Sequence, residues 1–419
     1  MRVVFVSNYF NHHQRPLCEA FSGADGVDFC FYQTEPMEEE RVRMGWGIDI
    51  ADYPYVKIFH DDIDATRKDI LESDIVIWGG VEMEDEIEPR LQAGKLTFRY
   101  SERIYKEGWW KFISPRGLKK KYHDHIRYRK APVYLLCAGA YVGADFNLIH
   151  AYPKKKFVWG YFPEVKHYDI EELMAKKSRD GEPVRILWAG RMIDWKHPEY
   201  AIDLADQLLH ASDKEMGKCI RPELLGKLRD NGGFKITMAG GGEMEGALRA
   251  EVKEKGLEEV VRFTGFLKPE EIRAEMERSD IFIFTSDEKE GWGAVLNEAM
   301  NSGCLVVARP GIGAVPYMVQ HGHNGMVCTD TMLQFCGMVI WMALDRKDCH
   351  EQGKRAYETM VKYWNAENAA AQFLRVAKDL MEGKKPEYSP VEAGTGALQP
   401  MCKDPEIGHG RGGRFTQRW

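Results

Sequence analysis

Short apolar runs alternate with longer segments of helical periodicity along most of the chain. In the first third, the apolar runs cover residues 2–7, 27–32, 55–59, 74–78, 96–100 and 133–137. The runs 3–6 and 75–78 are apolar at every position, which is typical of strands covered by helices on both faces. The pattern predicts an α/β fold with a doubly wound, mostly parallel sheet.

The same alternation continues in the second half of the chain. Strands are predicted at 184–189, 234–239, 260–267, 281–286 and 303–308, with helices at 198–209, 331–344 and 348–363. We therefore expect two Rossmann-like domains, over 1–165 and 184–364. Three further segments complete the division: a polar linker over 166–183, a terminal helix over 365–382, and a tail rich in Gly and Pro over 383–419, predicted to be disordered.

Composition narrows the class of protein. The chain has 419 residues, of which 44% are hydrophobic and 29% charged, and its formal net charge of −7 gives no general reason to expect a nucleic-acid partner. We expect no signal peptide at Met1, and no apolar run approaches the roughly 20 residues of a membrane span. The nine cysteines are scattered without a Cys-x-x-Cys pair. They are typical of reduced core residues in a cytoplasmic protein.

A corner between a strand and a helix, residues 287–300, carries the most distinctive chemistry. Its loop contains Glu290, and Glu298 follows about two helical turns later. Backbone amides at 291–294 stand at a predicted helix start, where they can donate to a phosphate. The carboxylates can accept hydrogen bonds from sugar hydroxyls and the amides can bind a phosphate, so the corner suits a sugar nucleotide. Alternatively, both acids are ordinary helix-start residues favoured by the helix dipole.

Other strand ends of the second half add candidate ligand contacts. Arg191 and Lys196 follow the strand 184–189, and two such cations can neutralise a diphosphate. The glycines 240–242 allow a close approach, either to a ligand or to their own helix. Phe266 and Leu267, at the end of the strand 260–267, are placed to flank a nucleobase.

The first domain offers weaker candidates. Asn11, His12, His13 and Gln14 follow the first strand and can donate hydrogen bonds to a phosphate or a sugar, although a solvated loop is an equal alternative. No Gly-x-Gly-x-x-Gly occurs there, which disfavours a nicotinamide-dependent oxidoreductase. Glu102 follows the strand 96–100, where it either contacts a ligand or pairs with Arg103.

A cationic and aromatic segment at 109–130 stands out in this acidic chain. Its rings and lysines suit the surface of an anionic membrane, with peripheral attachment at the inner face. The alternative is a solvated basic helix.

Taken in order, these motifs resemble those of the family 4 glycosyltransferases. The resemblance covers the chain to about residue 382 and is carried by Gly190 and Arg191 with Lys196, by the glycines 240–242, by Arg-Phe-Thr-Gly at 262–265, and by Glu290 and Glu298. It implies the GT-B fold, in which two Rossmann-like domains face a central cleft and the helix 365–382 returns to the first domain. It also implies retention of anomeric configuration, with no required metal and no cofactor beyond the nucleotide-sugar co-substrate.

The resemblance also implies roles for individual residues. Arg191 and Lys196 would hold the donor diphosphate and stabilise the leaving group, Glu290 would contact the donor sugar, and Glu298 would contact the ribose. The remaining donor contacts would come from Gly190, Gly241, Phe266, Leu267, Gly291, Trp292, Gly293, Ala294 and Val295. The first domain departs from the pattern, because Ser101 and Glu102 stand where many members carry a His. Asn11 to Gln14 likewise replace a glycine-rich loop.

The sequence therefore predicts a cytoplasmic, retaining, metal-independent glycosyltransferase. It would move a hexose-type sugar from a nucleotide-diphosphate donor to a hydroxyl acceptor, such as a polysaccharide or a lipid-linked glycan. Two alternatives stay open. One is an epimerase or hydrolase of sugar nucleotides with the same fold, and the other is a sugar-nucleotide-binding protein without catalysis.

Overall fold

The computed structural model describes residues 1–39, 47–108, 114–210, 222–328, 331–386 and 400–403. These residues form two compact units. Unit 1 contains the described residues up to 164 and, from the end of the chain, 363–386 and 400–403. Unit 2 contains the described residues between 165 and 362. Among the described residues, no helix combines the length and the apolar character needed to cross a bilayer.

Unit 1 is built on a seven-stranded sheet in which every pairing is parallel. Its spatial order is β3-β2-β1-β4-β5-β6-β7, so the strand order reverses beside β1. The strands are β1 Arg2–Ser7, β2 Asp28–Gln33, β3 Val56–Ile58, β4 Ile75–Gly79, β5 Thr97–Ser101, β6 Val133–Ala138 and β7 Lys156–Trp159. Apolar side chains of β1 and β4 are buried on both faces, as the uninterrupted runs predicted.

Helices connect these strands. In chain order they are α1 Arg15–Ser22, α2 Ile63–Glu72, α3 Glu84–Gln92, α4 Pro115–Lys121 and α5 Val142–Leu148. A single 3₁₀ turn, Ile50–Asp52, precedes β3, and a π-helical turn, Tyr122–Ile126, extends α4.

Unit 2 is a second doubly wound domain with a six-stranded parallel sheet in the order β10-β9-β8-β11-β12-β13. Its strands are β8 Val184–Ala189, β9 Phe234–Ala239, β10 Val261–Gly265, β11 Ile281–Phe284, β12 Leu305–Ala308 and β13 Met326–Val327. Its helices are α6 Ile170–Ala175, α7 Glu199–His210, α8 Pro222–Asp230, α9 Glu245–Glu254, α10 Pro269–Arg278, α11 Val295–Asn301, α12 Val315–Met318, α13 Met332–Leu344 and α14 Arg346–Lys362. The prediction of two Rossmann-like domains is confirmed.

The last helix among the described residues, α15 Ala366–Met381, belongs to unit 1. Asn365 caps it, accepting a hydrogen bond from the amide of Asn368 at 2.8 Å. Its apolar face carries Phe373, which is fully buried. The ring of Phe373 lies 5.3 Å from that of Phe21 on α1 and 4.7 Å from that of Phe98 on β5. The helix therefore completes the core of unit 1.

Two expectations about the connecting segments need correction, and one strand was missed. Residues 166–183, expected to be a linker, belong to unit 2 and contain α6. The strand β7 was not predicted, because the turn-rich sequence around Gly160 masked it. The tail 383–419 was expected to be disordered, but Met401 and Cys402 are buried and exchange backbone hydrogen bonds with Val158 of β7. Disorder therefore does not hold for residues 400–403. The other tail residues beyond 386 lie outside the described ranges.

The polar composition of residues 166–183 suggested a linker, but polar groups of this stretch form hydrogen bonds inside unit 2. The buried ammonium of Lys177 donates to the carbonyls of Met276, Ser279 and Ser302 at 2.6 to 3.1 Å. Ser178 donates to the buried carboxylate of Asp280 from its amide at 2.8 Å and from its hydroxyl at 2.6 Å. Polar side chains thus attach this stretch to the domain instead of exposing it to water.

Asp280 collects further donors. The amide of Arg185 on β8 donates to it at 2.7 Å, and Nε2 of His350 lies 3.2 Å away. Burial alone would raise the pKa of Asp280, but the hydrogen bonds from His350, Ser178 and Arg185 outweigh it and lower the pKa to about 2. The carboxylate thus joins the start of β8, α14 and the stretch before β8.

Because the folded pKa lies below that of the unfolded chain, Asp280 stabilises unit 2 at neutral pH. That stabilisation, about 2 kcal/mol, should be lost as the pH falls from about 4 to 2. Replacing Asp280 by Asn should lower the free energy of unfolding near pH 7 by roughly 3 kcal/mol, since an amide turns an NH₂ group toward buried donors. The variant should also lose this part of the acid dependence.

Urea unfolding at pH 7, at about pH 4 and at about pH 2, followed by circular dichroism, measures both effects, because the acid-dependent part is lost between the last two. Asp230→Asn is the matched control, because Asp230 is an exposed aspartate of the same unit. Equal unfolding midpoints for the two variants would contradict this role for Asp280.

Candidate functional site

In unit 2, the strand order reverses between β8 and β11, which are direct neighbours. In sheets of this kind, ligands bind at the carboxyl ends of the two strands that flank the reversal. Gly190 and a 3₁₀ turn, Asp194–Lys196, follow β8. The loop that leads to α11 follows β11. Both loops therefore reach the same edge of the sheet, and both carry predicted site residues.

An ion pair joins the two loops. Nζ of Lys196 lies 2.6 Å from Oε2 of Glu290, and the side chains keep only 15% and 10% of their exposure. The hydroxyl of Ser286 donates to the same oxygen at 2.9 Å. The ammonium also lies 4.7 Å from the ring centroid of Trp195. Within the described ranges, Oε1 of Glu290 accepts no hydrogen bond, so one oxygen is fixed and the other is available.

Backbone and side-chain hydrogen bonds hold the two loops together. The amide of Asp287 donates to the carbonyl of Trp195 at 3.0 Å. The hydroxyl of Thr285 donates to the carbonyl of Lys196 at 2.7 Å and accepts from the indole of Trp188 at 2.9 Å. Sequence reasoning missed Thr285 and Ser286. Both residues could have been predicted to lie at the site, because their hydroxyls follow directly after the apolar strand β11.

Gly293 allows the second loop to fold over the end of β11. Its φ of +89° is in the left-handed region, and a Cβ there would lie 2.5 Å from the ring of Phe284. Trp292 is buried, and its indole donates to Oδ1 of Asn297 at 2.9 Å. The amides of Gly291 and Gly293 donate no hydrogen bond to any of the described residues. They remain candidates for binding an anion.

The second predicted carboxylate, Glu298, lies on the seven-residue helix α11, one residue beyond Asn297. Burial raises its pKa, and the positive charges of Arg273 and Lys166 oppose that rise. Its carboxylate has no hydrogen-bond partner among the residues that the structure describes. Arg273 donates instead to the backbone carbonyl of Glu298, at 3.2 Å.

The glycines 240–242 pack against the loop after β8. A Cβ at Gly240 would lie 1.9 Å from the carbonyl oxygen of Gly190, and the amide of Met192 donates to the carbonyl of Gly241 at 2.8 Å. A Cβ at Gly241 would meet the ring of Phe266 at 2.8 Å. Packing within the protein therefore accounts for these glycines.

Phe266 itself is 62% exposed, and Leu267 is partly exposed. Arg191 is also exposed and makes no side-chain hydrogen bond or ion pair within the described part of the chain. Unit 2 thus presents a cation, an ion pair and an aromatic ring on loops at one edge of its sheet. Val295 and Ala294 are partly exposed at the start of α11.

The first-domain candidates lie at the equivalent edge of unit 1. Oδ1 of Asn11 accepts from the amides of His13 and Gln14 at 2.9 and 3.2 Å, and Gln14 donates to the hydroxyl of Ser7 at 3.1 Å. Burial lowers the pKa of His12 to about 4, and the charge of Arg15 acts in the same direction. Asn11 and Gln14 thus use part of their hydrogen-bonding capacity to shape the loop.

Glu102 does not pair with Arg103. It accepts a hydrogen bond from the hydroxyl of Tyr161 at 2.7 Å and forms an ion pair with Lys106. Arg103 pairs instead with the buried Asp145 at 3.2 Å. The alternative of a Glu102–Arg103 pair is therefore wrong, because Tyr161 and Lys106 engage the carboxylate of Glu102 while Asp145 engages the guanidinium of Arg103.

One further cluster lies in unit 1. Asp85, Glu88 and His123 place possible metal-ligand atoms within 4.8 Å of one another. Glu88 already pairs with Arg127 at 2.9 Å and accepts a hydrogen bond from the hydroxyl of Tyr128 at 2.7 Å. Its carboxylate is thus engaged by protein groups.

Residues 169–359 match the family model described as Glycosyl transferases group 1. The amylovoran biosynthesis glycosyltransferase AmsK of Erwinia amylovora is 29% identical over 171 residues, 39% of this chain and 37% of that protein. A GDP-mannose-dependent alpha-(1-6)-phosphatidylinositol monomannoside mannosyltransferase of Mycobacterium tuberculosis is 28% identical over 153 residues, 34% of this chain and 40% of that protein. The chain thus matches less than half the length of these curated relatives.

Solved structures cover more of the chain. Anabaena HepE in complex with UDP matches with a TM-score of 0.62 and 14% identity, over 90% of this chain and 100% of that chain. The lipopolysaccharide outer core galactosyltransferase WaaB matches with a TM-score of 0.62 and 15% identity, over 90% and 99% of the two chains. The two Rossmann-like units thus have the GT-B fold, and the segment 169–359, which holds Lys196, Glu290 and Glu298, matches the group 1 glycosyl transferases.

Proposed function

We propose that this protein is a cytoplasmic, retaining glycosyltransferase that moves a hexose-type sugar from a nucleotide-diphosphate donor to a hydroxyl acceptor. The ion pair between Lys196 and Glu290 at the strand-order reversal of unit 2 carries the proposal. It places a cation and a hydroxyl-binding carboxylate side by side, in the segment that matches the group 1 glycosyl transferases.

The comparisons support a donor of this class. HepE was solved with UDP and with UDP-glucose, and the mycobacterial relative is named for its use of GDP-mannose. Each of these donors joins a hexose to a nucleoside diphosphate. These two examples do not indicate which base this protein binds, because one donor contains uracil and the other contains guanine.

The proposed chemistry follows from where charge develops. Breaking the bond between sugar and phosphate places negative charge on the departing nucleotide. Lys196 is already oriented by Glu290, so its charge can stabilise the leaving group with little rearrangement. Arg191, exposed and without an acidic partner within the described ranges, can close on the diphosphate from the same loop. The amides of Gly291, Gly293 and Ala294 would bind the remaining phosphate or sugar oxygens.

Glu290 would act on the sugar. Its Oε2 is held by Lys196 and Ser286, whereas Oε1 can accept hydrogen bonds from sugar hydroxyls. Glu298 would accept from the ribose hydroxyls, which would supply its carboxylate with partners. Phe266 would stack on the base. Because the carboxylate of Glu290 is engaged in binding, we propose that the acceptor enters on the face that the nucleotide leaves, with retention.

Relatives also indicate the class of acceptor. The Erwinia relative is named for the biosynthesis of amylovoran, and a relative from Salmonella typhimurium is named for that of colanic acid. The mycobacterial relative is named for a phosphatidylinositol monomannoside. We therefore propose a growing polysaccharide or a lipid-linked glycan as the acceptor.

Replacing Lys196 by Ala should lower the rate of transfer by about 100-fold or more, because a fixed charge on the leaving group is lost. Glu290→Ala should abolish transfer as well, since it removes both the sugar contact and the partner of Lys196. The measurement is release of nucleoside diphosphate in the presence of an acceptor panel. Lys289→Ala, an exposed lysine in the same loop, is the matched control and should keep full activity. Full activity in both site variants would refute the assignment.

Replacing Phe266 by Ala should weaken nucleotide binding roughly tenfold, the effect of losing one stacked ring. Titration calorimetry with UDP, GDP and ADP would measure this and identify the base. Trp341→Ala removes a ring of unit 2 that is 61% exposed, so it is the matched control. An equal loss in the two variants would argue against stacking on Phe266.

The anomeric configuration of the product should match that of the donor, as observed by proton NMR. We expect the reaction to proceed in EDTA, because Lys196, Arg191 and the amides supply the positive charge. Incubating the donor without an acceptor separates the alternatives, since an epimerase or hydrolase would turn over at full rate alone. Binding without turnover across the acceptor panel would favour a non-catalytic protein, and an inverted product would rule out retention.

A further inference from the structure

Two cationic segments, far apart in sequence, meet on unit 1. One covers residues 116–130, through α4 and the π-helical turn, and the other is the run Lys154, Lys155 and Lys156 before β7. Nζ of Lys155 donates to the carbonyls of Arg129 and Ala131 at 3.1 and 2.5 Å. These bonds join the segments into one surface, which we call the cationic surface.

Much of the charge on the cationic surface is unbalanced. Lys120 pairs with Glu82 and Asp124, and Arg127 pairs with Glu88. Five other cations are exposed and have no acidic partner within the described ranges: Arg116, Lys119, Arg129, Lys130 and Lys154. The chain as a whole carries a net charge of −7. Such a concentration of positive charge in an acidic protein favours a partner with many negative charges.

Apolar side chains are exposed among these cations. Leu118 is 38% and Tyr122 is 57% exposed, four positions apart where α4 passes into the π-helical turn. An open pocket of about 280 Å³ lies beside them, lined by Tyr122, Ile126 and residues 127–131. A soluble polyanion would engage the cations alone, whereas a membrane surface also takes up the apolar groups.

We propose that the cationic surface docks unit 1 on an anionic membrane, with Leu118 and Tyr122 entering the interface. The pocket beside Arg127 and Arg129 would receive a lipid phosphate head group. The sequence predicted membrane contact over 109–130, of which residues 109–113 lie outside the described ranges, and Lys154 to Lys156 were not included. Docking is independent of the proposed transfer reaction, because it is measured by binding alone.

The test is cosedimentation of the full chain with vesicles of phosphatidylcholine, with and without about 30% phosphatidylglycerol. The triple variant Lys119→Gln, Lys130→Gln, Lys154→Gln should lower partitioning to the anionic vesicles roughly 100-fold, from the contribution of three lysines near an anionic surface. The control is Lys227→Gln, Lys253→Gln, Lys347→Gln, which removes the same charge from exposed lysines of unit 2. It should bind like the parent protein.

A second variant, Leu118→Ser with Tyr122→Ser, tests the apolar contribution. It should bind anionic vesicles several-fold more weakly while retaining full affinity for soluble polyphosphate. Unchanged vesicle binding in this variant would overturn membrane docking in favour of a soluble polyanion. Equal partitioning to neutral and anionic vesicles, or equal loss in the two triple variants, would also overturn it. Thermal unfolding monitored by circular dichroism checks that each variant is folded, and transfer to a water-soluble acceptor should persist in the first triple variant.

Discussion

A lysine ammonium and a glutamate carboxylate, both largely withdrawn from water, meet where the strand order of unit 2 reverses. Neither charge would be stable there alone, because desolvating an unpaired ion costs several kcal/mol. Lys196 and Glu290 are therefore interdependent, and so are the loops that carry them. The bond between Asp287 and Trp195 and the contacts of Thr285 add rigidity. Charge compensation thus sets the geometry of the candidate site before any ligand binds.

The strands and their ends could be predicted from the sequence because burial on both faces leaves a local signature. Apolar runs such as 75–78 locate a strand directly, and the polar residues that follow it must lie at the edge of the sheet. Lys196 and Glu290 were found in this way. Their contact was not predictable, because 94 positions separate them and strand order decides which ends are neighbours.

Polar residues misled the sequence reasoning where tertiary contacts satisfy them. Lys177 and Ser178 made 166–183 look like a linker, yet both are buried and bonded. Arg103 looked like a partner for Glu102, yet it bonds Asp145 from another element. Composition reports the average environment of a residue type, whereas a buried polar group depends on one specific partner. The cationic surface shows the opposite problem. Lys154 to Lys156 were not predicted to belong to it, because only the fold brings them beside residues 116–130.

The position of α15 has a consequence for how the chain folds during synthesis. The described residues of unit 2 all lie between 165 and 362, so this part of the unit can complete its core once residue 362 has emerged from the ribosome. Unit 1 begins first but finishes last, because the buried Phe373 belongs to its core. Until that helix emerges, apolar surface around Phe21 and Phe98 stays uncovered and open to misassociation. The unit that is translated first of the two is therefore the one whose core stays incomplete longest.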